Sequence, residues 1–357
     1  MTSKERVLTA FARCEPDRVP IDYSCNPGID RRLKAHFGLA PDDNEGLLQA
    51  LGVDFRGVGP RFVGEKKHAD DPERGVTADI WGNRRRWVAH ESGGYWDFCD
   101  FPLKDATIDE IDAWPMPSAD EFDYRGLQDD CRCHGDYAVY YGGGGFGDVI
   151  NGNGFVRGTE QTLIDVATLD PAGMRLAERR VSIQLEIARR TLEAAQGGID
   201  FVWMGEDLGT QRGPLMSLDM YRRAIKPFHQ RIIDLAKQYD LPVMIHSCGS
   251  SSWVFDELAE MGVNVVDTLQ PEAKDMAPAY LKEHYGDRLA FHGCISTAGP
   301  VATGTVAETE QYCRDILATM MPGGGYCFAP THQLQDNSPT GNVVRMYAVA
   351  REAGVYG

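Results

Sequence analysis

Leu241-Pro242-Val243-Met244-Ile245-His246-Ser247-Cys248-Gly249 is a short apolar run that ends in an imidazole, a hydroxyl and a thiol. A strand with one wet face alternates apolar and polar residues. A strand covered on both faces, as in a parallel sheet, is apolar without a break. The run therefore predicts a buried parallel strand whose polar groups begin where it ends. Residues 18–23, 53–58, 137–141, 200–204, 263–268, 288–292 and 326–329 read as strands too, and with 242–246 they make eight.

Helical patterns separate most of these strands, at 171–196, 217–239, 252–261, 306–320 and 342–353. Gly197-Gly198, Gly262 and Gly354 supply stop signals. Strand alternating with helix predicts an α/β protein with right-handed crossovers, and eight such units predict closure into a (β/α)8 TIM barrel. The expectation is one barrel domain over residues 1–357. One stretch breaks the alternation. Residues 75–133 are rich in Trp and Asp, and Val76-Thr77-Ala78-Asp79-Ile80-Trp81-Gly82 with Arg85-Arg86-Trp87-Val88 reads as a hairpin. This is expected to be an insertion capping the barrel mouth.

Composition excludes several classes. The chain is 43% hydrophobic and 25% charged, as globular proteins are. Its net charge of −17 argues against a nucleic-acid partner, because such affinity comes from Lys and Arg on phosphates. No apolar run approaches the roughly 20 residues of a membrane span. The opening Met1-Thr2-Ser3-Lys4-Glu5-Arg6 is charged where a secretory signal would be apolar. Nine cysteines, an odd number, fit free thiols in a reducing compartment. The expected location is the cytoplasm.

Barrel enzymes build their sites at the C-terminal ends of the strands, so the strand ends are where chemistry is sought. His246 and Cys248 stand two apart and share a face of the strand. Imidazole and thiolate together suit Zn²⁺. A buried histidine beside a buried free cysteine is the structural alternative. Phe328-Ala329-Pro330-Thr331-His332 adds His332 at the same end, and Phe291-His292-Gly293-Cys294 adds Cys294. Alternation faces Cys327 outward. After the fourth strand, Glu206 and Asp207 offer carboxylates for acid–base work, metal ligation or substrate anchoring, and Arg212 offers a partner for a substrate anion. Capping of the helix at 217–239 is the competing reading for the acids. Trp203, Trp81 and Tyr141 are candidate walls for an aromatic substrate. Gly142-Gly143-Gly144-Gly145-Phe146-Gly147 is read as a loop whose backbone lies close to a ligand or neighbour, since it does not follow the first strand of a βαβ unit as a dinucleotide fingerprint does. Cys131-Arg132-Cys133-His134 reads as a surface helix end.

Taken together, these motifs resemble the uroporphyrinogen decarboxylase superfamily. Glu5-Arg6-Val7, Pro16-Asp17-Arg18-Val19-Pro20 and Ala329-Pro330-Thr331-His332 carry the likeness, which runs over nearly the whole chain. The decarboxylases hold porphyrinogen carboxylates with arginines near the first strand. Here that place reads Asp22-Tyr23-Ser24-Cys25-Asn26-Pro27-Gly28, with none. The methyltransferase branch is similar in another way. Its zinc motif is His-x-Cys plus a distant Cys in an Ala-Pro-x-Cys context, and here His246 and Cys248 match while His332 stands in place of the distant Cys. Asp207-Leu208-Gly209 with Gln211-Arg212-Gly213 looks like the subgroup proposed to demethylate O-methyl compounds. The resemblance implies a methyltransferase that moves a methyl group between a small methylated compound, such as a methoxylated aromatic, and a corrinoid (cobalamin) on a partner protein. It implies Zn²⁺ held by His246, Cys248 and His332. A zinc-dependent lyase or decarboxylase of a small acid, and a non-catalytic corrinoid- or metal-binding protein, are the alternatives. The oligomeric state, a homodimer included, is left open.

Overall fold

The computed structural model describes residues 1–91 and 93–357. Seven strands form one parallel sheet in chain order: β1 (Phe55–Gly57), β2 (Ala138–Gly142), β3 (Phe201–Gly205), β4 (Val243–Ser247), β5 (Val265–Thr268), β6 (Ala290–Ile295) and β7 (Tyr326–Pro330). Every residue of β5 and β6 is buried, as the unbroken apolar runs require. The segment predicted as the first strand, residues 18–23, forms isolated bridges and no strand. Ile21 forms a parallel bridge with Phe328 of β7, and its carbonyl accepts from the Asp54 N–H at 2.8 Å, just before β1. The Asp54 carboxylate is fully buried and gathers Arg6 at 2.8 Å, Arg18 at 2.7 Å and the Ile21 N–H at 2.8 Å. That pairing satisfies the charges at the seam between the chain's start and β1.

Most predicted helices are present, and the departures have local causes. Pro171–Ala195 starts on an Asp170 cap with Pro171 in its first turn and ends at a left-handed Gln196. The predicted helix 217–239 is two helices, Leu218–Ala224 and Lys226–Lys237. Pro227 lacks the N–H and disfavours a helical residue before it, so the first helix stops and a second begins. Several helices had no counterpart in the sequence reading, among them Ser3–Phe11, Pro27–His36, Asn44–Leu51, Ile150–Arg157, Thr159–Thr168 and Pro278–Tyr285. In Ile150–Arg157, Gly152, Asn153 and Gly154 hide the periodicity.

The segment between β1 and β2 carries a three-stranded antiparallel sheet, Val76–Ala78, Arg84–His90 and Gly93–Phe98. The third strand was missing from the predicted hairpin. At one end of the sheet, Phe98 stacks on Phe155 with ring centroids 3.6 Å apart. At the other, a Cβ on Gly93 would come within 2.5 Å of Asp336, in the loop after β7. The sheet thus crosses from the β2 side of the mouth to the β7 side. Among the described residues, no helix is long and apolar enough to cross a membrane.

Candidate functional site

A cavity of about 490 Å³ opens at the C-terminal ends of the strands. His246, Asp267 and His292 lie side by side at one level of β4, β5 and β6, because these positions pair in register. The registration produces a chain of alternating imidazole and carboxylate. His246 Nδ1 lies 2.8 Å from Asp267 Oδ2, His292 Nδ1 lies 2.6 Å from Asp267 Oδ1, and His292 Nε2 lies 3.1 Å from Asp22 Oδ2. Burial disfavours charge on His292, but the two flanking carboxylates outweigh it and push the ring up to about 9. Asp267, whose burial alone would raise it, is held well below the usual carboxylate range by His292 and His246. The end of β5 is strained: Thr268 has φ 93°, an outlier for a β-branched residue, and its hydroxyl lies 2.8 Å from His246 Nδ1.

With Nδ1 engaged by Asp267, His246 turns Nε2 toward Cys248 Sγ at 3.4 Å and Asp207 Oδ1 at 3.8 Å. Asp207, His246 and Cys248 offer an oxygen, a nitrogen and a sulfur within 4.8 Å of one another. Asp207 is fixed by the Cys248 N–H at 2.9 Å and by Asn151 Nδ2 at 2.9 Å. The donor set fits a borderline-soft divalent cation such as Zn²⁺, and a carboxylate behind the histidine is the usual support for such a ligand. The glycine run after β2 passes directly over this point. A Cβ on Gly205 would meet the Gly144 carbonyl at 2.0 Å, and one on Gly144 would meet the His246 ring at 3.2 Å. The expected close approach of that loop to a neighbour is therefore met, and the neighbour is His246.

A second network lies beside the first. Glu206 is fully buried and accepts the N–H groups of Val149 and Ile150, each at 2.9 Å. It does cap a helix, though it is Ile150–Arg157 and not the one that follows it. His229 Nε2 lies 3.3 Å from Glu206 Oε2, and the Tyr221 hydroxyl lies 3.2 Å from His229 Nδ1. Glu206 also shares a hydrogen bond with Asp148, which lines the cavity. Burial pushes Glu206 up to about 7 and His229 down to about 4. Burial, then the neighbouring Glu206, raises Asp148 well above its ordinary value. Asn151 links the networks by donating to Asp148 at 2.9 Å and to Asp207 at 2.9 Å.

The other predicted residues are distributed unequally. Trp203 lines the cavity, with its buried indole N–H unpartnered among the described residues. His332 lines the cavity as well, from β7's end, but does not join the three clustered ligand atoms. Trp81 and Tyr141 line a separate cavity of about 420 Å³, which shares Gly145 with the first. They do not face Trp203 across one substrate. Arg212 is exposed on the small ribbon formed by Gly209–Thr210 and Gly213–Pro214. Cys294 is wholly buried, and burial pushes its thiol up, away from the thiolate that a metal needs. Cys327 corrects the expected facing: it pairs in register with His292 and so shares that residue's inward side. The gly-rich motif aside, Asp267, Asp148 and Asn151 escaped the sequence reading. An acid closing the apolar Val265-Val266-Asp267 was the signal for the first.

A parallel α/β sheet with its polar groups gathered at the strand ends defines the class of protein. Within it, the chain belongs to the uroporphyrinogen decarboxylase (URO-D) family, whose sequence profile matches residues 163–353, more than half of its length. Comparison with curated proteins finds no match. Among solved structures, a methyltransferase from Methanosarcina mazei has the same fold, with a TM-score of 0.64, 16% identity and 99% of each chain covered.

Proposed function

We propose that this chain is a zinc-dependent methyltransferase that moves a methyl group between a small methylated compound and a corrinoid carried by a partner protein. The observation that carries the reading is the convergence of Asp207, His246 and Cys248 on one point of the cavity rim. Those three residues would hold the zinc, and Asp207 takes the place the sequence had given to His332. A zinc ion there would supply Lewis acidity toward the heteroatom that bears the methyl group. The protein's own part is to bind and orient. Asp267 fixes the His246 tautomer, Trp203 walls the cavity, and Asp148 with Glu206 holds a proton at the cavity surface. The family and the shared fold with a methyltransferase support this assignment.

A methoxylated aromatic is the donor class proposed, since Tyr23, Phe155 and Trp203 border the cavity. We read residues 18–23 as the strand that completes a closed eight-stranded barrel, residues 75–133 as an insertion within that single domain, and the cytoplasm as its place of work. The test is to mix the purified protein with a reduced corrinoid and a panel of methoxylated compounds and to follow the corrinoid spectrum. Methylation of the corrinoid is expected. No methylation across the panel, with no reverse transfer from methylcobalamin to thiols or folate, overturns the reading in favour of a lyase.

A further inference from the structure

Arg180, on helix Pro171–Ala195, is a buried guanidinium without a counter-ion. It is 6% exposed, and its Nη1 has no hydrogen-bond partner among the described residues. Its Cζ lies 4.8 Å from the centroid of the Trp81 ring. Gly152 leaves it room, since a Cβ there would come within 3.4 Å of its Nε. Asp79 and Asp148 are the acids that act on it, and neither hydrogen-bonds it. Both are engaged elsewhere. Asp79 accepts from the Trp81 and Asn83 N–H groups and from Asn83 Nδ2. Asp148 accepts from Asn151 and shares a hydrogen bond with Glu206. Burial pulls Arg180 down only to about 10, so it is charged at neutral pH. An unpaired buried charge is costly, which marks the place as one where a ligand supplies the anion.

A second guanidinium stands close by. Arg85 lies over the Phe98 ring at 4.6 Å, its Nη2 is 3.7 Å from Asp79, and its Nε is buried and also unpartnered. Two guanidinium groups thus face one acid whose oxygens are already bonded. An apolar space adjoins them. Ile80, Trp81, Phe122, Tyr141, Phe146 and Ile187 line the cavity of about 420 Å³, together with Gln184, one helical turn from Arg180. Asp207, His246, Cys248 and Asp267 line no part of it.

We propose that Arg180, with Arg85 beside it, binds the carboxylate of a small molecule whose apolar body fills this second cavity. A guanidinium matches both carboxylate oxygens at once, in a forked pair. The site does not depend on the methyl-transfer reading; it is a second ligand site that meets the first cavity at Gly145.

Benzoate and benzyl alcohol, which share an apolar body and differ in charge, test it by calorimetric titration into the full chain as purified. Benzoate should bind about tenfold tighter than the alcohol, and Arg180→Met should erase that gap. Arg85→Gln should narrow it. Without ligand, Arg180→Met should melt no lower than the wild type, because an apolar chain replaces an unpaired buried charge. Equal binding of the two compounds, or of neither, overturns the proposal. So does a benzoate preference that survives Arg180→Met, which would put the anion elsewhere, on a metal at His246 included. A lower melting point in Arg180→Met, with the preference unchanged in Arg85→Gln, reduces Arg180 to packing on Trp81.

Discussion

Two networks of the same residue types lie side by side at the strand ends, and they titrate in opposite senses. In one, imidazoles and carboxylates alternate along Asp22, His292, Asp267 and His246. There His292 is pushed up to about 9 and Asp267 is held low, so the network is ionised. In the other, two carboxyl groups adjoin, Asp148 and Glu206, with His229 behind them. There Glu206 rises to about 7 and His229 falls to about 4, so the network stays close to neutral. Both are deeply buried, so burial does not separate them. Order does: each imidazole between two acids keeps its proton, while two acids in contact must share one.

The comparison breaks most decisively at His246, the only residue of the ionised chain that also belongs to the ligand cluster. The wild type should hold about one zinc per chain and His246→Ala none, as checked by metal analysis after purification without chelator. Activity in the corrinoid assay should vanish with it. Zinc retained in that variant would detach the ionised chain from the metal altogether.

Asp267→Asn comes next. It touches no metal ligand atom but removes the carboxylate that holds both His246 and His292. Zinc affinity should drop about 10–100-fold, the usual effect of losing such support. Stability should fall by about 3–5 kcal/mol, because a buried imidazolium loses a partner. His292 should then titrate lower than its wild-type value of about 9, which NMR of the ring protons would show. An unshifted His292 would mean that Asp22 alone holds the charge.

The fold was far more legible than the site. Continuous apolar runs mark strands because both faces of a parallel strand are covered, and that signal is local. Helix 306–320 was equally plain, since Thr305 and Glu308 form a capping box at its start. The glycines and asparagines of Ile150–Arg157 weaken any periodic signal, so that helix was missed, and Asp148 with it. His246 and Cys248 could be found because they are two apart in sequence. The pairing of His246 with Asp267 depends on register between strands, and the joining of Asp207 to them depends on the turn after β3. Neither can be read from spacing along the chain.

The neutral network offers a subtler test through pH. A carboxyl raised in the folded state contributes stability that is present below its unfolded value and is lost as pH rises through the folded one. For Glu206 that window runs from its ordinary value of 4.5 to about 7. His229 has the opposite sign: lowered to about 4 from 6.5, it contributes stability present above 6.5 and lost as pH falls through 4. The two slopes offset each other in the wild type. Glu206→Gln removes the falling one. The wild type's advantage over the variant in denaturant melts should therefore shrink by roughly 2–3 kcal/mol between pH 4.5 and 7. A pH-independent difference would show that Glu206 acts only as a helix cap.

The smallest effect on the metal is expected at His332, and it separates what the resemblance implied from what the geometry assembles. By analogy with the distant cysteine of the methyltransferase motif, His332 would be the third ligand. In the structure it lines the cavity from the end of β7, while the oxygen of Asp207 stands with His246 and Cys248. Asp207 is also the better prepared ligand. It is held by the Cys248 N–H and by Asn151, each at 2.9 Å, so little ordering is needed when a cation arrives. His332 is exposed, and its side chain would have to give up rotamer freedom first. His332→Ala should accordingly keep zinc close to the wild-type content, and Asp207→Ala should lose most of it. Equal loss in both variants would make the site four-coordinate within the protein, closed in the manner of structural zinc. Loss in His332→Ala alone would restore the ligand set drawn from the sequence and reduce Asp207 to a support for Cys248.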